Sequence, residues 1–244
     1  MIKPEDLKEI APKKPDSAYA ASQVIAGIPI SKTARLQLFS ASEWESFVEE
    51  WASSLKTQYV AVKRFGGAGD KGIDIAAFTE KKYFAAPWDN YQCKHYDHAL
   101  TPSDIWIEIG KLLYYTFTAE YTAPRCYFFV APKGMGTTLS KLLTDSKKLK
   151  EKFFENWDRY CRDDITSTGA VLLEKQFREH AEKFDFAIFD SIPAVTLIDQ
   201  HAKTPFHAVR FGWPAPGSED TELGVFMEPE VSHGETEVYP RVQA

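Results

Sequence analysis

Residues 40–55 carry the most regular pattern of apolar and polar positions in the chain. Apolar side chains recur there at intervals of three and four residues: Trp44, Phe47, Val48, Trp51 and Leu55. This spacing places them on one face of an α-helix. Ser40 and Glu43 stand three residues apart, as the two partners of an N-terminal capping box do, and they predict that the helix begins near Ser40.

The segments that follow predict a mixed sheet with helices between its strands. Four segments have the alternation or the apolar composition of strands: 58–64, 72–78, 91–96 and 126–132. Helical patterns cover 103–117, with Ser103 as the predicted N-cap, and 136–143. The resulting order of helix, three strands, helix, strand and helix is typical of an α/β fold.

Composition divides the chain into three parts. Residues 1–34 are rich in Lys, Pro, Ala and Ser and are predicted to form an N-terminal arm. Residues 35–204 hold the periodic segments and are predicted to form one domain with a helical elaboration at its C-terminal end. Residues 205–244 are dominated by Pro, Gly and acidic residues, which is typical of a tail or of a linker to a further domain.

The net charge of −6 comes from the C-terminal end of the chain. Residues 217–244 hold seven acidic side chains and one basic side chain, so the other 216 residues carry 28 of each sign. A neutral body can still present a local basic groove. The charge therefore neither favours nor excludes a nucleic-acid partner.

Cysteine usage and hydropathy predict a cytoplasmic protein that does not associate with membranes. The three cysteines, Cys93, Cys126 and Cys161, are widely spaced, and an odd, sparse set is typical of a reducing compartment. The N-terminal residues lack the apolar segment of a signal peptide, and no apolar run is long enough to cross a bilayer.

Four polar residues, Glu45, Asp74, Gln92 and Lys94, have the side chains and the spacing that metal-dependent hydrolysis of a phosphodiester requires. Asp74 lies between Ile73 and Ile75, so in a strand the two isoleucines would point to one face and Asp74 to the other. Gln92 and Lys94 are two residues apart and would share a face of the next strand. If the two strands pair, the Asp74 carboxylate and the Lys94 ammonium can meet, and Glu45 borders the apolar face of the first helix and could reach the same point.

Charge suggests a role for each residue. Asp74 and Glu45 would hold Mg²⁺, with the backbone carbonyl of Cys93 and the Gln92 side chain as further ligands. Lys94 would polarise the attacking water or stabilise the charged transition state. Glu49, one turn after Glu45, is the alternative helix acid. Asp70 beside its glycines is more typical of a turn than of a metal ligand.

This order of residues resembles a known nuclease family. Glu45, then the segment from Gly69 to Asp74, then Gln92-Cys93-Lys94 is similar to the E…GxGDxGID…QxK pattern of Mrr-type, restriction endonuclease-like PD-(D/E)xK nucleases. The likeness covers residues 35–135. It is closer still to the double-stranded DNA endonuclease domains that serve as effectors in bacterial antiphage defence, such as those of CD-NTase (CBASS) systems.

The resemblance implies a fold, a cofactor and an activity. The fold would be the restriction endonuclease-like core, a central mixed sheet flanked by helices. The activity would be DNA cleavage that requires Mg²⁺, for which Mn²⁺ can substitute. The family's acid-acid-Gln-Lys set falls on Glu45, Asp74, Gln92 and Lys94. Gln92 replaces the acid of older family members, which leaves the number of bound metal ions open.

Other motifs have weaker alternatives. The segment 67–72 matches GxGxxG but runs into a predicted strand, whereas a dinucleotide site needs a helix there. Segment 132–138 could bind a phosphate, although a Gly-rich turn is the favoured interpretation. Cys93, His95 and His98 are too few for a typical zinc site. The lysine run at 147–152 is typical of a solvated helix face, with a grip on DNA as the alternative.

The sequence therefore predicts a Mg²⁺-dependent DNA endonuclease that acts as a defence effector, with a sensor domain, a partner subunit or a second copy of the chain as further partners. One alternative is a restriction-type endonuclease, for which a separate base-reading domain would be expected. The other is a degenerate nuclease that only binds nucleic acid or a partner, against which the intact acid-Gln-Lys set argues.

Overall fold

The computed structural model describes residues 30–66 and 71–212. Within them, five strands form one sheet: β1 (Ala61–Arg64), β2 (Ile75–Phe78), β3 (Trp88–Cys93), β4 (Cys126–Val130) and β5 (Phe189–Ser191). The strands lie in sequence order across the sheet. The first three pair antiparallel, whereas β3, β4 and β5 pair parallel. The predicted α/β architecture with a mixed sheet is confirmed.

Eight α-helices surround this sheet in the described residues. They are α1 (Lys32–Gln37), α2 (Ala41–Ser54), α3 (Trp106–Phe117), α4 (Thr137–Leu143), α5 (Ser146–Tyr160), α6 (Lys175–Lys183), α7 (Ala194–His201) and α8 (His207–Phe211). Short 3-10 turns lie at Tyr83–Ala85, Pro102–Asp104 and Phe186–Ile188. None of the described helices is long and apolar enough to span a bilayer.

Helix α2 covers one face of the sheet, as its apolar stripe requires. Trp44, Phe47 and Val48 are fully buried and pack in one cluster with the Ile75 and Tyr91 side chains of β2 and β3. The predicted capping box is present: the Ser40 hydroxyl accepts from the Glu43 amide at 3.2 Å, and the Glu43 carboxylate accepts from the Ser40 amide at 2.7 Å. The cap and the buried face together fix where α2 starts and how it lies.

Helices α3 and α5 belong to the cluster on the opposite face. Ile109 and Leu112 of α3 pack with Phe153 of α5 and with Tyr127 of β4. The helix α3 begins later than its sequence indicates. A 3-10 turn at Pro102–Asp104 precedes it. The N-cap of this turn is Thr101 rather than Ser103, and the Asp104 carboxylate accepts a hydrogen bond from the Thr101 amide at 2.7 Å.

Several strand boundaries differ from the sequence-based ones: β1 begins at Ala61 instead of Gln58, and β3 ends at Cys93 instead of Tyr96. Strand β3 begins at Trp88 instead of Tyr91, because Trp88 pairs with Phe78 across the antiparallel ladder. The expectation that Ile73 and Ile75 share a face is wrong. Asp74 lies in a bend just before β2, so Ile73 packs in the cluster on the α3 side while Ile75 packs in the cluster on the α2 side.

The folded part extends beyond the predicted boundary at residue 204. Residues His207–Phe211 form α8, and Arg210 donates to both carboxylate oxygens of Glu50 on α2, at 3.0 and 2.6 Å. The buried His201 lies 3.1 Å from the same carboxylate. Helix α1 likewise begins inside the segment predicted to be an arm. Residues 1–29 and 213–244 lie outside the described residues.

Candidate active site

The residues predicted to carry the chemistry lie where β3 ends and β2 begins. Gln92 and Cys93 are the last residues of β3, Lys94 follows directly, and Asp74 immediately precedes β2. Because β3 is parallel to β4 and β5, this is the carboxyl edge of the parallel part of the sheet, where α/β proteins usually place their sites.

Asp74 is held by two hydrogen bonds. Its Oδ2 accepts from the Gln92 side-chain amide and from the Cys93 backbone N–H, both at 2.7 Å. Burial raises the pKa of Asp74 to about 7, the Cys93 N–H opposes that rise, and the negative charges of Glu108 and Glu45 add to it. The positive charge of Lys94 opposes the two acids, so burial is the main reason that Asp74 ionises only near neutrality. A nearby cation would favour the charged form of this carboxylate.

Gln92 connects Asp74 to the core. Its Nε2 donates to Asp74, while its Oε1 accepts from the Tyr127 hydroxyl at 2.8 Å. The Gln92 side chain is buried, and both ends of its amide have a partner. This arrangement favours a positioning role for Gln92, so its role as a metal ligand stays a prediction.

Lys94 pairs with a residue that sequence analysis missed. Its ammonium lies 2.6 Å from the Glu108 carboxylate, and the two side chains are only 13% and 6% exposed. Glu108 also lies 3.6 Å from Lys111. The signal was available in the sequence, because Glu108 is an acid within a predicted helix whose residues are mostly apolar.

Glu108 keeps Lys94 charged. Burial lowers the pKa of Lys94, but the Glu108 carboxylate raises it by charge and hydrogen bonding, and the net result is a pKa above the ordinary lysine value. The Asp74 charge acts in the same direction. Lys94 is therefore a fixed positive charge beside Asp74.

Of the two candidate acids on α2, Glu45 is the one whose charge reaches the site. Its charge raises the pKa of both Asp74 and Cys93. No hydrogen bond or ion pair engages the Glu45 carboxylate within the described ranges. Glu49 instead lies 3.8 Å from Arg64 at the protein surface. The structure therefore favours Glu45 over Glu49 as the helix acid.

The turn that leads into Asp74 depends on Gly72. Its φ is +77°, and a Cβ added there would lie 2.9 Å from the Lys111 Cβ and 3.7 Å from the Glu108 carboxylate. The adjacent Lys71 carbonyl accepts from the Tyr121 hydroxyl at 2.8 Å. Gly72 thus lets the chain pass close to α3 just before it delivers Asp74.

We expect Gly72→Ala to lower the free energy of unfolding by about 2 kcal/mol, through both the positive φ and the contact with Lys111. Gly134→Ala is the matched control, because Gly134 has a φ of +65° but no atom within 4 Å of its added Cβ. Urea unfolding of both variants measures the difference. Equal losses would mean that the close approach to α3 contributes nothing.

The zinc alternative has no support in the geometry. Cys93 is buried, His95 lies 3.2 Å from the Leu36 carbonyl, and His98 pairs with Asp97 and Asp104. Across residues 30–66 and 71–212, no group of three or more His, Cys, Asp or Glu side chains is placed to hold a metal ion. Asp70 and most of the GxGxxG segment lie outside the described residues, and the chain beyond them enters β2 rather than a helix, as expected.

The segment 132–138 forms a turn that leads into α4, which begins at Thr137. The Leu100 amide donates to the Gly134 carbonyl at 2.9 Å, and the Gly136 amide donates to the Leu100 carbonyl at 2.8 Å. These bonds fit the interpretation of residues 132–136 as a Gly-rich turn.

Comparisons with known proteins found no match: no family model matches the chain, and no curated protein or solved structure is detectably similar to it.

Proposed function

We propose that this chain is a Mg²⁺-dependent DNA endonuclease with Asp74, Glu45 and Lys94 at its active site. The observation that carries the proposal is that Asp74 and Lys94 lie at the carboxyl edge of β3, near enough for the charge of each to affect the pKa of the other, with Gln92 and Glu108 as their respective partners. The second support is the resemblance of the same residues to the PD-(D/E)xK pattern. The mixed sheet flanked by helices is compatible with the restriction endonuclease-like core that this pattern implies.

The residues present fit a magnesium ion. Mg²⁺ in phosphoryl-transfer sites is usually held by one or two carboxylates and keeps several waters, so a cluster of three protein ligands is not required. Glu45 has no ionic partner among the described residues, and Asp74 resists ionisation mainly because it is buried, so a bound cation would favour its charged form. Asp74 and Glu45 would hold the ion, which when bound supplies a Lewis acid and a more acidic water.

The remaining residues have roles that follow from their contacts. Lys94 would stabilise the negative charge that develops on the phosphate oxygens, since it is charged and largely shielded from bulk water. Glu108 orients the Lys94 ammonium, and Gln92 orients the Asp74 carboxylate while Tyr127 fixes Gln92. These second contacts keep the reacting groups in place before DNA binds.

The role as an antiphage effector and the choice of double-stranded DNA as substrate rest on the resemblance alone. The same is true of a sensor domain, a partner subunit or self-association as the means of control. These proposals predict that DNA cutting depends on a trigger or on assembly.

The test is plasmid cleavage with Mg²⁺, with EDTA, and with the variant Lys94→Ala. We expect cleavage to require Mg²⁺ and to fall about a hundredfold in Lys94→Ala, the usual cost of removing a transition-state charge partner. Lys183→Ala is the control, because Lys183 is an 81% exposed lysine of α6 far from the sheet edge in sequence.

Each other outcome supports a different conclusion. Cutting that survives Lys94→Ala would place the active site elsewhere. A wild-type protein that binds DNA with Mg²⁺ at high protein concentration but never cuts it would favour the degenerate binding module. Cutting restricted to one sequence or to modified DNA would favour the restriction-type endonuclease.

A further inference from the structure

A cavity of about 470 Å³ lies beside the candidate active site and is lined by lysines. It is formed by the 3-10 turn at Pro102–Asp104, the first residue of α3, and the facing sides of α4 and α5. The lysines are Lys141 from α4 and Lys148 and Lys152 from α5. We infer that this cavity binds a phosphate of the DNA strand next to the one that is cut, an inference that rests on the proposed function.

The first argument is charge. Lys148 and Lys152 are four residues apart on α5, so they project from the same side of the helix, towards Lys141. Neither Lys141 nor Lys148 has an acidic partner among the described residues. Lys152 pairs with Glu155 at 2.5 Å, but that ion pair is exposed and therefore weak. Three lysine side chains therefore line one cavity, two of them without an acidic partner in the described residues, and an anion there would offset their charge.

The second argument is the chemistry of the remaining lining. The Thr137 and Thr138 side chains add hydroxyl groups, and the buried Trp106 and Leu142 side chains provide an apolar floor. A cavity with cations, hydroxyl donors and an apolar base suits a phosphodiester with its sugar better than a carboxylate or a cation. It lacks the long apolar walls that a peptide helix would need.

The third argument is position. The chain leaves β3 at Lys94, forms the 3-10 turn that borders the cavity, and enters α3, where Trp106 faces the cavity and Glu108 contacts Lys94. Residues two apart on a helix point to nearly opposite sides, so the first turn of α3 separates the two sites. A helix about 10 Å wide corresponds to about three nucleotides at the spacing of a DNA strand. One strand could therefore reach both sites.

The lysines at positions 147–152 differ in whether they line the cavity. Lys150 donates to the carbonyls of Glu182 and Phe184, so it caps the end of α6. Lys147 is exposed and does not line the cavity. Only Lys148 and Lys152 of the run face the space where a phosphate would lie. Lys147 is therefore a control on the same helix.

The experiment measures DNA binding by the full chain in EDTA, where no cleavage occurs, over a series of salt concentrations. We expect Lys148→Ala to weaken binding several-fold at low salt and to reduce the slope of log affinity against log salt by about 1, as the loss of one phosphate contact does. Lys148→Ala/Lys152→Ala should reduce it by about 2. Lys147→Ala should leave the slope unchanged.

The outcomes separate this inference from the proposed function. Cleavage by the wild-type protein with equal salt slopes for Lys148→Ala and Lys147→Ala would overturn the cavity assignment and leave the nuclease intact. Binding that weakens in Lys148→Ala, by a protein that never cuts DNA even with Mg²⁺ at high protein concentration, would support the cavity and favour the degenerate binding module over the nuclease. If pyrophosphate raises the melting temperature of the wild-type protein but not of Lys148→Ala, while DNA binding is equal, the cavity holds a free phosphate ligand and the assignment to DNA is overturned.

Discussion

Asp74→Asn should abolish cleavage and, in the metal-free protein, should raise the free energy of unfolding at neutral and alkaline pH. The substituted side chain would keep both hydrogen bonds, because its amide oxygen can accept from Gln92 and from the Cys93 N–H as the carboxylate does. The substitution removes the charge that a metal ion needs, so we expect cleavage to fall at least about a thousandfold. It also removes a charge that the fold disfavours.

The pH dependence of this stabilisation follows from the raised pKa. The Asp74 carboxyl titrates at about 7 in the folded protein, against an ordinary value of 3.8. Between these two values the folded state retains a proton that the unfolded state has lost, so the wild-type protein loses stability as the pH rises through this window. The advantage of Asp74→Asn should be absent in acid, grow between these values, and level off above them at no more than about 4 kcal/mol.

Urea unfolding in EDTA at several pH values tests this result. Asp104→Asn is the control with the opposite sign, because hydrogen bonds from Thr101 and His98 outweigh burial and lower the pKa of Asp104. That variant should be less stable than the wild type above the ordinary carboxyl pKa. A stability difference for Asp74→Asn that does not change with pH would show that the fold does not disfavour the Asp74 charge.

The sequence predicted the parts of the fold that local patterns determine. The helix α2 was predictable because its apolar stripe and its capping box agree. The strand pattern also predicted that pairing of the two strands would bring Asp74 and Lys94 together; β2 and β3 do pair, although Asp74 itself precedes β2. The hydrogen bond from Gln92 to Asp74 was not predicted. The start of β3 could not be found from alternation, because Trp88, Asp89 and Asn90 are buried together and show no alternation of apolar and polar residues. Burial on both faces of a central strand removes that signal.

Only those parts of the site that depend on local strand patterns could be predicted from the sequence. Glu45 and Glu49 both lie on the same helix, and only the position of Arg64 on β1 shows that Glu49 is directed to a surface ion pair. Glu108 comes from a helix on the other face of the sheet, and nothing near it in the sequence indicates Lys94. Such pairs depend on how the helices pack against the sheet, and the spacing of apolar residues along a helix does not predict that packing.

Glu108→Gln should destabilise the protein and move its cleavage activity to lower pH. The Lys94 side chain is only 13% exposed, and the substitution removes the carboxylate that lies 2.6 Å from its ammonium group. Breaking a buried pair from one side costs about 3 kcal/mol. Lys94→Met should cost less, because Glu108 keeps Lys111 at 3.6 Å. Glu182→Gln, which breaks the exposed pair with Arg178 at 2.8 Å, should cost less than about 0.5 kcal/mol.

The pH profile of cleavage distinguishes a positioning role for Glu108 from a purely structural one. Glu108 raises the pKa of both Asp74 and Lys94. Without it, Asp74 ionises at lower pH and burial lowers the pKa at which Lys94 loses its charge, so the acid and the alkaline limbs of the profile should both move towards lower pH. A variant that loses activity equally at every pH would leave Glu108 with a structural role only. A profile that moves as a whole would show that the charge of Glu108 sets the protonation of both reacting groups.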